Sequence, residues 1–340
     1  MVITVTGATG LIGSELVGLL SRSGAVIRAV TRSAGRITSQ PGVAWIQADL
    51  RDPRLLEPAL AGTSRLFLLT DNQPGFGELQ VAVLRAAREL GVEHIVKLSA
   101  LGASDHSRFW IGGEHWHVEQ ALQESPKSPM TWTILRPHAF MQNWLGDLAE
   151  TVRAEDKIYS PIQEGKVPYI DARDIAAVAA EMLRRPENHV NTKYVLTGGE
   201  AIGFAELAEV LSEATGKHII YQPISMEEAG RRMKAQGASE QSIEAMLALA
   251  TYQRVGGPTA KVSDHVQQIL GRQPRSIRDF ARDYSDQFSS RAADTAGSSC
   301  PAADDLVRVV ARWAALDATP LVRAQTDARA MGGEPGPDLV

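Results

Sequence analysis

The chain has 340 residues, 44% of them hydrophobic and 22% charged. That balance excludes a disordered or collagen-like protein and suffices for one large α/β body with an attached lobe. The 35 Lys and Arg against 40 Asp and Glu leave a formal charge of -5, which gives no global attraction to phosphodiester backbones or anionic lipids, so neither nucleic acid nor membrane is expected as a partner.

Cys300 is the only cysteine, so no intrachain disulfide and no cysteine-based zinc site can form. The apolar start at residues 2–6 lacks the basic lead and cleavage site of a signal peptide, and no uninterrupted apolar run reaches the roughly 18 residues of a spanning helix. A cytoplasmic, soluble protein is expected.

In chain order, short β-branched runs at 2–6, 26–30, 43–47, 66–69, 94–98 and 132–135 alternate with helix-period segments at 11–22, 53–60, 76–90 and 111–124. This alternation predicts a parallel sheet covered on both faces. Beyond residue 137 the pattern loosens. Helices are expected at 172–185, 204–215, 226–236, 240–252 and 277–287, with strands near 193–196 and 218–221. The last fifty residues are Ala-rich and contain no Lys; one amphipathic helix is expected at 304–315 between mobile flanks.

The stretch TGATGLIG places Gly7, Gly10 and Gly13 directly after the first strand and at the opening of the first helix. There a dinucleotide pyrophosphate rests on helix-terminal N–H groups. Thr9 offers a hydroxyl, and Leu11 and Ile12 complete the candidate cradle. The fold class expected is therefore α/β, a Rossmann-type doubly wound parallel sheet over residues 1–136. A smaller, mostly helical C-terminal lobe spans 137–288, interleaved with the sheet, and a tail spans 289–340.

An NAD site usually places a carboxylate about 20 residues beyond the glycines. Here that stretch reads Ala29-Val30-Thr31-Arg32-Ser33. Arg32 and Ser33 can hold a 2′-phosphate through charge-assisted bonds, which favours NADP(H) over NAD(H); the alternative is a solvated surface arginine. Asp49, with Leu50 beside it, either accepts from the adenine amino group or caps the helix before Pro53.

Together with TGATGLIG, the blocks HIVKLSALGA, HxxxE at His115 and Glu119, LRPHAFMQN from Leu135, YIDARDIAAVAAEML from Tyr169 and YVLTGGEAIGFAELAEVLSEATG from Tyr194 resemble the NmrA-like group of atypical short-chain dehydrogenases. That group includes NADPH quinone reductases and triphenylmethane and azo dye reductases. The blocks cover about residues 1–288 in the family's order. The resemblance implies an NADPH-dependent reductase acting on a small aromatic or conjugated acceptor, as a monomer or homodimer. The group also contains NADP-binding redox sensors that act by contacting a partner, and fold alone does not separate the two.

Typical short-chain dehydrogenases use Tyr-x-x-x-Lys to exchange a proton at the substrate oxygen. Four residues beyond the 6 tyrosines stand Gln163, Arg173, Gly198, Ser225, Gly256 and Phe288; none is lysine. In the helix that would carry the pair, His115 and Glu119 share a face at i, i+4. Glu119 could orient His115 as a proton donor, or the two could form a helix-stabilising polar pair. His115 and His117 point to nearly opposite sides of the helix, so no metal is expected.

Ser99 after the fifth strand and Thr70 and Asp71 after the fourth lie at the carboxyl edge, where such sheets bind ligands; they are cofactor contacts or loop caps. The resemblance brings Pro137, His138 and Phe140 towards the nicotinamide. Phe140, Met141 and Trp144 form either a wall for a flat substrate or a hydrophobic seam under the lobe.

Overall fold

The computed structural model describes residues 1–37, 39–107, 109–124 and 129–289; the helix expected at 304–315 lies outside them. Seven strands, β1 (Val2–Val5), β2 (Val26–Thr31), β3 (Val43–Gln47), β4 (Arg65–Leu68), β5 (His94–Leu98), β6 (Thr131–Pro137) and β8 (Thr192–Leu196), form one sheet in the order β3-β2-β1-β4-β5-β6-β8. Every neighbouring pair is parallel. The order reverses between β1 and β4, the switch point that leaves a crevice outside the carboxyl ends of the strands.

Alternation along the strands fills two cores. Ile3, Val5, Ile27, Ala29, Phe67, Val96 and Leu98 face α1 (Leu11–Arg22) and α6 (Ala172–Arg184). Val30, Leu66, Leu68, Ile95 and Ile134 face α2 (Leu56–Leu60), α3 (Phe76–Glu89) and α4 (Trp110–Gln123). The helix expected from residue 53 opens as a 3-10 turn over Pro53–Leu55, because Asp52 caps Arg54 N ahead of the proline.

The region after residue 137 carries α5 (Asp147–Glu155), β7 (Lys157–Ser160), α7 (Phe204–Thr215), β9 (Ile220–Pro223), α8 (Met226–Ala235), α9 (Glu240–Val255), α10 (His265–Leu270), α11 (Ile277–Asp283) and α12 (Ser285–Phe288). Three of these, α5, β7 and α10, were not expected. β7 pairs parallel with β9 as a separate two-stranded sheet, so the lobe is helical around a small ribbon. The helix expected at 277–287 breaks at Tyr284 (φ -118, ψ 16) into α11 and α12.

Two fully buried carboxylates at the start of α6 tie the lobe to the sheet layer. Asp171 accepts from Gln142 Nε2 at 2.9 Å and from Arg173, which also pairs with Asp283 at 2.7 Å. Asp174 accepts from Arg272 at 2.7 Å and from Arg275 N at 2.6 Å, with the Arg275 guanidinium also on it. Such bonds outlast solvent competition because the acceptor has no access to water. No described helix is long and apolar enough to cross a membrane.

Candidate functional site

Past the end of β1, buried Thr6 donates its hydroxyl to Leu69 O at 2.8 Å and receives Leu69 N at 2.9 Å. This holds the loops after β1 and β4 together beyond the last ladder bonds. Gly7 then turns with φ +62, and Gly10 N closes the turn onto Gly7 O at 3.0 Å. A Cβ at Gly13 would sit 2.1 Å from Gly7 O, so α1 can rest on this loop only through a glycine.

Gly10 differs. It caps α1 in extended conformation (φ -83, ψ 175), and its missing Cβ would meet only Gly7 O at 3.3 Å. No side chain caps this helix end, and its first turn has no acidic residue. Its first N–H groups therefore have no intrahelical partner. Thr9 Oγ lies 3.3 Å from Thr31 Oγ, while Ile12 is buried in the core and Leu11 packs where two cores meet. Ile12 thus has only backbone to offer a ligand.

At the ends of β2, β3 and β4, two arginines interleave with two aspartates. Arg32 pairs with Asp71 at 2.9 Å, and Arg51 stands 3.9 Å from both Asp49 and Asp71. Ser33 N bonds Thr31 Oγ at 3.2 Å, leaving its exposed hydroxyl free of that turn. Asp49 caps its own turn, accepting Arg51 N at 3.0 Å; Asp52, not Asp49, caps the segment at Pro53, which corrects that alternative. Leu50 is buried in the second core beneath the loop. Thr70 Oγ accepts from Gln80 Nε2 at 2.8 Å. Arg51 escaped sequence reasoning because it sits in an unpatterned loop; its only signal was a second cation two residues after Asp49.

Between β5 and α4 lies a buried polar network. Glu119, fully buried, accepts from Ser99 Oγ at 2.6 Å, from Arg136 Nε at 2.8 Å and Nη2 at 2.5 Å, and from Lys193 Nζ at 3.0 Å. Burial opposes its ionisation, but the Arg136, Ser99 and Lys193 contacts outweigh it and hold the carboxyl below its usual range.

Glu119 does not orient His115, contrary to expectation: its bonds all lead elsewhere. His115 Nδ1 instead lies 3.1 Å from the Nζ of Lys97, a fully buried lysine on β5 that also donates to Leu98 O. Burial, then the Lys97 and Arg136 charges, push the His115 pKa well down, so the ring is neutral. Burial likewise pulls Lys97 down to about 7, against a smaller upward pull from Glu119. Lys97 was not singled out from the sequence although HIVKL contains it: every residue of β5 is buried, and a lysine inside such a strand needs a partner.

Of the two readings for the segment after β6, the packing of Met141 and Trp144 favours the seam. Met141 and Trp144 are each 3% exposed, and Trp144 packs on Tyr169 and Phe280 at centroid distances of 4.7 and 5.4 Å. They belong to the lobe's own core, which favours the seam over the wall. Phe140 is half-buried and bridges to Ile170 through its backbone.

Pro137 ends β6, and its carbonyl accepts Leu101 N at 3.0 Å. His138 is engaged through both ring nitrogens: Nδ1 accepts Ala139 N at 2.7 Å and Nε2 bonds Thr259 O at 3.0 Å. Burial brings the His138 pKa down to about 4, so the neutral ring is consumed in joining β6 to the lobe.

Comparison with known proteins places the chain among relatives of similar length. The chain is 38% identical over 293 residues to an NAD(P)H azoreductase of Xenophilus azovorans, covering 85% of this chain and 99% of that protein. In structure it is similar to the NADPH-dependent quinone oxidoreductase of Escherichia coli in complex with NADPH (TM-score 0.73, 25% identity, 83% of this chain and 99% of that one). It is also similar to the triphenylmethane reductase of Citrobacter sp. in complex with NADP(H) (TM-score 0.69, 26% identity, 84% and 100%). The NmrA-like family model matches residues 1–281, and the chain belongs to that family.

Proposed function

We propose that this protein is an NADPH-dependent reductase that passes a hydride equivalent to a small conjugated acceptor such as a quinone, a dye or an enone. The observation that carries the reading is the glycine cradle at the switch point, with α1 presenting an uncapped, side-chain-free end at Gly10 and two arginines standing at the ends of β2 and β3. These residues fit a dinucleotide phosphate: the space that a Cβ would take at Gly10 is the approach to unpartnered N–H groups.

Residues 7–13 would hold the pyrophosphate, and Arg32 with Arg51 the 2′-phosphate. When bound, a reduced nicotinamide supplies the hydride chemistry. The protein's part is to orient the acceptor, exclude water and manage a proton at the carboxyl edge of β5 and β6. Conjugated acceptors delocalise the incoming charge, so the absence of Tyr-x-x-x-Lys is compatible with turnover. The similar azoreductase, quinone oxidoreductase and triphenylmethane reductase support this choice of acceptor class.

The test is reduced-nicotinamide consumption, followed by absorbance, over a panel of quinones, azo and triarylmethane dyes and enones, with cofactor binding measured in parallel. Turnover with at least one acceptor is expected. Tight binding with no turnover, together with a co-purifying protein, would identify a redox sensor instead.

Cofactor choice has its own check. Arg32→Ala is expected to weaken NADPH binding about ten- to a hundredfold, the value of roughly 1.5–3 kcal/mol for a lost charge-assisted bond, and to leave NADH nearly unchanged. An equal loss for both cofactors in calorimetric titration would mean that Arg32 does not read the 2′-phosphate.

A further inference from the structure

We propose that Lys97 and His115 form a proton relay serving this reductase, the imidazole donating from Nε2 to the oxygen of a reduced acceptor and being recharged at Nδ1 by the Lys97 ammonium. The inference rests on the reductase reading above and adds the proton source.

Geometry carries it. Lys97 is fully buried, and its two hydrogen-bond acceptors are both neutral: the Leu98 carbonyl and His115 Nδ1 at 3.1 Å. Glu119 on α4, the carboxylate among the described residues whose charge acts on Lys97, is already engaged by Ser99, by Arg136 of β6 and by Lys193 of β8, and Glu114, beside His115, accepts Gly77 N at 2.6 Å. A buried ammonium without its own counter-ion is costly, and a packed apolar side chain would serve a purely structural role better. Because Lys97 donates to Nδ1, the neutral ring must carry its proton on Nε2.

From α3, Phe76 meets the imidazole edge-on at a centroid distance of 4.8 Å and fixes its plane. Nε2 of His115, a 5%-exposed residue, makes no hydrogen bond among the described residues, which leaves that atom for an acceptor. α4 starts where the loop after β5 returns, which puts its second turn, with His115, near the carboxyl edge that also bears the glycine cradle.

The step balances without further reagents. Hydride delivery leaves an oxyanion on a quinone-type acceptor; the Nε2 proton forms the O–H bond as the Nε2–H bond breaks. Nδ1 simultaneously takes a proton from Lys97 Nζ, leaving a neutral amine and a neutral imidazole in the other tautomer. Solvent then returns a proton at Nε2 and the ring passes one back to the amine. An imidazole alone, neutral in this site, could not supply the proton, whereas a lysine brought down to about 7 can.

A cationic triarylmethane acceptor becomes neutral on taking hydride and needs no proton, which provides the internal control. Quinone turnover in the wild type is expected to be full below about pH 7 and to fall above it as Lys97 loses its proton. Lys97→Met should lower quinone turnover by about 10²- to 10⁴-fold and abolish that limb, with a loss at least about tenfold smaller for the cationic acceptor.

Nitrogen-15 NMR of the cofactor-free wild type gives a readout that needs neither turnover nor a variant. His115 should show the Nε2–H tautomer, no imidazolium down to the acid limit of the fold, and a Nδ1 shift moving near pH 7 with the Lys97 ammonium. An Nδ1–H tautomer, a Nδ1 shift unresponsive near pH 7, or equal loss for both acceptors in Lys97→Met would overturn the relay. Failure of the wild type to turn over any acceptor would instead overturn the reductase reading, and the NMR result would stand separately.

Discussion

Glu119→Ala is expected to destabilise the protein by about 3–5 kcal/mol, the usual cost of removing one partner from a buried ion pair. The carboxylate is fully buried and takes two bonds from Arg136, one from Lys193 and one from Ser99. Its removal strands Arg136, which is only 19% exposed, and deprives Lys97 of the one charge that favours its ammonium. Urea unfolding near neutral pH measures the loss; a change under about 1 kcal/mol would show that the network does not hold β5, β6, β8 and α4 together.

The pH dependence has a definite sign. A carboxyl held below its unfolded value contributes stability that is complete above about pH 4.5 and is lost as the pH falls through its folded value. The gap between wild type and Glu119→Ala should therefore narrow on acidification.

Gly13→Val and Gly10→Val are expected to separate folding from binding within one loop. At Gly13 the new Cβ would lie 2.1 Å from Gly7 O and 2.9 Å from the Ala8 Cα, both backbone atoms. Relief requires α1 to lift from the loop, disturbing Ile12, Leu16, Val17 and Leu20 in the first core. A loss of about 3 kcal/mol, the upper end of ordinary overpacking, is expected, with cofactor binding lost as well.

At Gly10 the backbone is extended and the nearest atom is 3.3 Å away. Gly10→Val should cost about 1 kcal/mol as a poor N-cap while weakening NADPH about a hundredfold, equivalent to roughly 2.8 kcal/mol of obstruction at the phosphates. Thermal melts and cofactor titration on both variants check the pair. A folded Gly10→Val that binds NADPH normally would remove the pyrophosphate from this loop.

The sheet and its glycine cradle are legible in the sequence because their determinants are local. A strand buried on both faces must be a short apolar, β-branched run, and the six expected in the first half lie within about two residues of the observed ones. The cradle announces itself because Gly7 and Gly13 answer to each other within seven residues. By contrast, α5 buries only Ala149 and Val152, and β7 is four residues long with a partner about 60 residues away in β9. Neither has enough local apolar pattern to be seen.

The chemistry of the buried network was decided only in three dimensions. Spacing of i, i+4 puts His115 and Glu119 on one face of α4, but the neighbour that each meets depends on the register of β5, β6 and β8 beneath it. That register sets Lys97 against His115 and gives Ser99, Arg136 and Lys193 to Glu119. The same holds for Met141 and Trp144, which the lobe encloses with Tyr169, from the segment before α6, and Phe280, from α11. Hydrophobic period and backbone sterics act over a few residues and are written in the chain. The charge state and partner of a buried group depend on what distant segments bring against it, and only the packed structure specifies that.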